Sequence, residues 1–184
     1  MSGLQVLGID PSLTCTGVAI VGESLTVAAT RFPTQAGDNS LDDIRTRVRY
    51  VVGSVLRFAP TECFTVIEAP YIPKHGSGQV LERAWLFGML VDQLTLRGPV
   101  VRVRAKTRAK YATSNGNADK KAVLEAIRTA FPHVGVRDDN EADAIALAAM
   151  GARYLGQPFD GPISKKQQEA MTAVVWPDRS RSNA

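Results

Sequence analysis

The sequence has no apolar run approaching the roughly 18–20 residues that a membrane span requires. Its N-terminus lacks a charged-then-apolar pattern with a cleavage site, so no secretory signal is expected. Only two cysteines are present, Cys15 and Cys63, and their spacing does not suit a metal site. The expectation is a pair of reduced thiols in or near the core of a cytoplasmic protein without a membrane partner. Internal repeats are absent. The remainder is that of a globular chain: 184 residues, 45% apolar and 22% charged, enough for one domain with a full core.

Charge is unevenly spread. The net charge is +4, but between Arg97 and Lys121 stand eight bases, Arg97, Arg102, Arg104, Lys106, Arg108, Lys110, Lys120 and Lys121, against the single acid Asp119. That segment carries seven net positive charges, which leaves the rest of the chain three net negative. A basic strip on an acidic body suits a polyanion such as nucleic acid. It also suits a solvated face with no partner, and charge alone does not separate the two.

Residues 4–9 read as an apolar strand that ends at Asp10, and 15–21 and 25–31 as two more strands around the turn Gly22-Glu23-Ser24. Apolar residues three and four apart predict a helix over 41–58, closed by Pro60. Residues 63–67 predict a strand ending at Glu68, followed by a Pro- and Gly-rich loop over 69–79. A helix over 80–96, a strand over 100–104 and a turn or mobile loop within 105–117 come next, then helices over 119–131 and 139–155. After Gly156 the composition changes. Residues 1–156 are therefore expected to form the domain, and 157–184 a basic, partly disordered tail. That tail has room for one short helix over 164–175, docked through Met171, Val174 and Val175.

Three acids stand out. Asp10 and Glu68 each end an apolar strand, where α/β proteins place their sites. Each alone would also suit an ordinary strand-end or turn acid. Asp143 lies inside the apolar helix run Ala142-Asp143-Ala144-Ile145-Ala146, with Asp139 and Asn140 four and three residues earlier on the same face. Favourable interaction with the helix dipole explains Asp138 and Asp139, but explains Asp143 poorly. Carboxylates crowded together repel unless cations neutralise them. Hard oxygen donors of this kind suit Mg²⁺ or Mn²⁺ rather than Zn²⁺.

The segment Gly8-Ile9-Asp10-Pro11-Ser12-Leu13-Thr14-Cys15-Thr16-Gly17-Val18-Ala19-Ile20 resembles the first motif of the RuvC family of Holliday-junction resolvases. The strand-end Glu68, the alanine-rich helix carrying Asp143, and the stretch Lys110–Lys120 with its glycine turn resemble later parts of that family, so the likeness runs over about residues 4–155. The resemblance implies an α/β, ribonuclease H-like fold: a mixed five-stranded sheet with helices on both faces. It implies an endonuclease that cuts four-way junctions or other branched DNA with two Mg²⁺ ions, for which Mn²⁺ can substitute. Asp10, Glu68 and Asp143 match its metal-binding acids. The fourth position is Asn140 where the family has Asp or His, and the adjacent Asp139 offers an alternative ligand. Lys110 and Lys120 match lysines at the scissile phosphate. Tyr71 matches an aromatic that stacks on a base, an interaction worth roughly 1–3 kcal/mol. Lys74, Arg104, Lys106, Arg108 and Lys121 are further expected DNA contacts. A homodimer is implied through the helix over 80–96, with Trp85, Leu86, Met89 and Leu90 across the two-fold axis.

Three rivals stand beside this reading, and length weighs against the third. One is a nuclease of the same fold acting on flaps, forks or RNA–DNA hybrids. Another is a branched-DNA-binding module weakened in catalysis by Asn140. The third, a sugar-kinase or actin-like ATPase, needs two such domains, and 184 residues leave no room for them.

Overall fold

In a computed structural model, residues 4–22, 24–71 and 79–178 are described. Lys74 and the last six residues of the expected disordered end lie outside them. The strands are β1 (Gln5–Asp10), β2 (Cys15–Val21), β3 (Val27–Pro33), β4 (Cys63–Glu68) and β5 (Val100–Val103). The helices are α1 (Leu41–Phe58), α2 (Val80–Thr95), α3 (Ala105–Thr113), α4 (Lys120–Ala130), α5 (Asp139–Tyr154) and α6 (Lys165–Thr172). The sheet order is β3-β2-β1-β4-β5. β1, β2 and β3 form an antiparallel meander, while β4 lies parallel to both β1 and β5. The mixed five-stranded sheet is the expected one.

Alternation along the strands supplies two faces. Leu7 and Ile9 of β1, Val18 of β2 and Ile67 of β4 pack with Ile44, Val48, Val51 and Val55 of α1 and Leu86, Leu90 and Leu94 of α2. Val6, Phe64, Val66, Val101 and Val103 pack on the other side with α4 and α5. Helices thus cover both faces. α1 starts at Ser40, whose hydroxyl accepts from the Asp43 amide at 3.2 Å, with Asp42 and Asp43 complementing the helix dipole. Leu86 and Leu90, expected at a dimer contact, instead fill this core, because they share the stripe of Leu94 that faces α1.

α5 decides where the site lies. Its residues from Glu141 to Ala152 are all buried. It can lie this close to the sheet because two glycines beneath it lack side chains: a β-carbon on Gly8 would overlap the Ala144 carbonyl, and one on Gly17 the Asn140 carbonyl. Asp138 caps the helix, accepting from the Glu141 amide at 3.1 Å.

Three local expectations are corrected. β3 begins two residues late, since Leu25 sits in the left-handed region within a turn closed by the Gly22 amide on the Thr26 carbonyl. The expected loop over 105–117 is largely α3. This helix has almost no apolar stripe and is held by tertiary contacts: Tyr111 donates to Asp160, and Arg153 donates to the Tyr111 hydroxyl at 2.9 Å. In the C-terminal segment Val175 is 92% exposed, whereas Ala170, Val174 and Trp176 pack inward. Trp176 stacks on Tyr154 at 4.7 Å and Tyr154 on Phe64 at 5.3 Å. No helix among the described residues is long and apolar enough to cross a membrane.

Candidate active site

Ile9 and Ile67 lie in register on adjacent parallel strands. Asp10 and Glu68 are the next residues of β1 and β4, so they leave the carboxyl ends of those strands side by side. The close seat of α5 on Gly8 and Gly17 brings Asp143 to the same edge, 2% exposed. Three carboxylates from distant parts of the chain therefore share one end of the sheet.

Their electrostatics follow from that crowding. Burial, then repulsion from Glu68 and Asp143, pushes the Asp10 carboxyl well above the ordinary carboxylate range. Burial likewise raises Asp143 to about 7, outweighing the attraction of Arg108. Asp139, one turn earlier on α5, is held below its usual value by the bond it accepts from Lys120. Lys120, at the start of α4, also acts on Asp10 and Asp143 through space, which places it at the rim of the cluster.

Arg108 occupies the middle of this group. Its guanidinium donates from Nε to Glu68 at 2.8 Å and from a terminal nitrogen to Asp143. Expected as a DNA contact, the residue is 8% exposed, and both bonds go to the acids. Lys110, matched to a lysine at the scissile phosphate, is directed elsewhere in this structure. It sits two residues further along α3, on the opposite face, and donates to Glu169 of α6 at 2.7 Å. The basic residue that α3 delivers to the acids is Arg108. Recognising 105–113 as a helix would have exposed the choice, since residues two apart cannot share a face.

The other acids of the Asp138–Asp143 stretch have structural work. Asp138 caps α5 and pairs with Arg31. Glu141, fully buried, accepts from the Arg137 amide at 2.8 Å and from its Nε at 2.6 Å. Asn140 is partly buried at the first turn of α5, beside Gly17. Tyr71 is 72% exposed, three residues beyond Glu68. Of the basic strip, Arg97 is used internally on the carbonyls of Leu56 and Ala59, both at 2.8 Å. Arg102, Arg104, Lys106, Lys120 and Lys121 are exposed. Arg104 follows β5 directly, and Val103 is in register with Glu68, so this part of the strip flanks the acids.

The donor set fits a hard divalent cation. It offers carboxylate oxygens, shielded from water and crowded enough to raise two of the three acids. As the side chains stand, with Arg108 between Glu68 and Asp143, no group of three or more acidic, cysteine or histidine residues among those described is arranged to hold a metal ion.

No protein-family model matches the chain, and no curated protein sequence does. Solved structures do. RuvC of Thermus thermophilus superposes with a TM-score of 0.60 at 19% identity, covering 84% of this chain and 98% of that one. T. thermophilus RuvC in complex with a Holliday junction substrate superposes with a TM-score of 0.59 at 18% identity and the same coverage. These likenesses establish the fold, which is RuvC-like, that is, ribonuclease H-like.

Proposed function

We propose that this chain, built on the RuvC-like fold, is a divalent-metal-dependent endonuclease that resolves four-way junctions in DNA. The observation that carries the reading is the meeting of Asp10, Glu68 and Asp143 at one sheet edge with Lys120 at its rim. The complex of T. thermophilus RuvC with a Holliday junction substrate supports the choice of substrate.

Mg²⁺, two ions per site with Mn²⁺ able to substitute, would be held by Asp10, Glu68 and Asp143 with Asp139 or Asn140 as a further ligand, and would activate water and stabilise the leaving oxygen. The chain's own groups then have separate tasks. Lys120, paired with Asp139 at the rim, neutralises an incoming phosphate and turns its charge toward the reacting group. Exposed Arg104, Lys106 and Lys121 grip the DNA backbone without reading sequence, so affinity falls steeply with salt. The Tyr71 ring, open to solvent, stacks on a base exposed at the branch. Leu81, Trp85 and Met89 form one stripe of α2, four residues apart, with Leu81 exposed and the other two half-buried. That stripe is the candidate face for a second copy, and two-fold pairing would direct two sites at opposed strands.

Incubation of a synthetic four-way junction with the protein and Mg²⁺, beside a linear duplex of the same arms, tests the reading. Paired nicks near the crossover, absent from the duplex, are expected. Equal cutting of both contradicts junction resolution, and flaps, forks and RNA–DNA hybrids then identify the substrate. A second reading, a junction-binding module without cleavage, is favoured by Arg108 among the acids and by the uncharged Asn140. It predicts tight junction binding and no nicks in either Mg²⁺ or Mn²⁺.

A further inference from the structure

Arg108 reaches the acids from an anchored helix. α3 is fixed by Tyr111, which meets Asp160 and Arg153, and by the Gln167 side chain, which donates to the Tyr111 carbonyl at 2.7 Å. Lys110 and Glu169 add a further tie to α6. These ties hold the helix in place whichever rotamer the Arg108 side chain takes. It is 10% exposed, and its fork bonds the two acids that β4 and α5 contribute.

A guanidinium in that position has the sign of charge, though not the size or the full charge, of the ion the cluster would take. It stays ionised at any working pH, and the surrounding acids strengthen that. One positive charge does not balance Asp10, Glu68 and Asp143 once all three are ionised, and Lys120 is committed first to Asp139. A divalent ion brings twice the charge and can contact all three acids, whereas the fork contacts two.

We propose that Arg108 is the resident counter-cation of the acid cluster: its guanidinium bridges Glu68 and Asp143 until a divalent ion displaces it, so this side chain sets the metal concentration at which the site fills. The inference rests on the reading of the cluster as a metal site. Bonds of a charged donor to a charged acceptor are strong enough that their loss before metal entry weakens apparent affinity by roughly 10- to 150-fold.

The test uses the full chain, freed of metal with chelator, at pH 8. Calorimetric titration with Mn²⁺ compares wild type, Arg108→Leu and Arg108→Lys. The leucine variant is expected to bind Mn²⁺ roughly 10- to 150-fold more tightly and, without metal, to unfold at lower temperature than wild type. The lysine variant, which keeps the charge but loses the fork, is expected between the two. In wild type, the Arg108 Nε–H resonance, assigned by its absence from the lysine variant, should be protected without metal and lose protection as diamagnetic Mg²⁺ is added. This measurement decides the matter should the leucine variant fail to fold.

Mn²⁺ binding by wild type with no gain in a folded Arg108→Leu protein overturns the inference and leaves the metal site standing. So does an Arg108 resonance unchanged at saturating Mg²⁺. No Mn²⁺ binding by any of the three proteins overturns both the inference and the metal-site reading.

Discussion

Gly8 in β1 lies directly beneath the main-chain carbonyl of Ala144 in α5, with no room for a β-carbon between them. One turn before that contact on the same helix stands Asp143's neighbour Asn140, whose carbonyl rests on Gly17 in the same way. The distance between Asp10 and Asp143 is thus set by backbone packed on backbone, and the carboxylates inherit it.

Gly8→Ala should push α5 off the sheet. Overpacking of this kind costs roughly 1–3 kcal/mol, which in a chain of this size lowers the melting temperature by roughly 2–12 °C. Cleavage should fall more than stability alone explains, because Asp143 moves with the helix. Gly135→Ala, where an added methyl meets nothing within 4 Å, is the control and should change neither. Thermal unfolding and junction cleavage measured side by side check both.

The raised acids predict how stability depends on pH. Asp143 titrates at about 7 in the folded chain, against an ordinary value near 3.9 when unfolded. Between those values the folded chain holds a proton that the unfolded chain has lost, so stability falls as pH rises through that window and levels off above it. Asp10 acts in the same direction. Asp139 acts oppositely: Lys120 holds it ionised, and its contribution is lost only as pH falls below the ordinary carboxylate value. Metal-free protein should therefore be less stable at pH 8 than at pH 5.5, by on the order of a few kcal/mol at most, and melt at a lower temperature. Asp143→Asn should flatten the profile, and a slope of unchanged size in that variant contradicts the assignment.

Lys110 and Lys120 should separate under mutation. Lys120→Ala is expected to cut cleavage strongly, because it removes the rim charge beside Asp139, Asp10 and Asp143. Lys110→Ala breaks a solvent-exposed pair with Glu169, a kind of pair that contributes little, and should leave cleavage near wild type. Single-turnover rates on a labelled junction distinguish them, and equal losses would return Lys110 to the site.

Much of the candidate site was legible in sequence because its markers are local. An acid that ends a mostly apolar strand is conspicuous, as Asp10 and Glu68 show, and Asp143 is conspicuous within a run of alanines. Arg108 was not legible as the acids' partner. The sequence Ala105-Lys106-Thr107-Arg108-Ala109-Lys110 has no apolar period to announce a helix, and the contacts that stabilise α3 come from Asp160, Arg153 and Gln167, tens of residues away. Without the helix there was no basis for preferring Arg108 over Lys110. The two-residue error at β3 has a similar origin, since Leu25 looks like a strand residue and is instead the left-handed corner of the turn.

The exposed bases predict the character of DNA binding. Arg104→Ala and Lys106→Ala should each weaken binding to junctions of any sequence and reduce the slope of log affinity against log salt by about one. Tyr71→Ala should weaken junction binding by roughly 1–3 kcal/mol without changing that slope, since stacking releases no counterions. Fluorescence anisotropy at several salt concentrations reads both quantities.

The most direct measurement is anomalous scattering from a crystal grown in Mn²⁺. Density is expected at coordination distance, roughly 2–2.4 Å, from oxygens of Asp10, Glu68 and Asp143 together, and should vanish in Asp10→Asn. Manganese absent from that sheet edge, with the three carboxylates turned apart, would contradict the account.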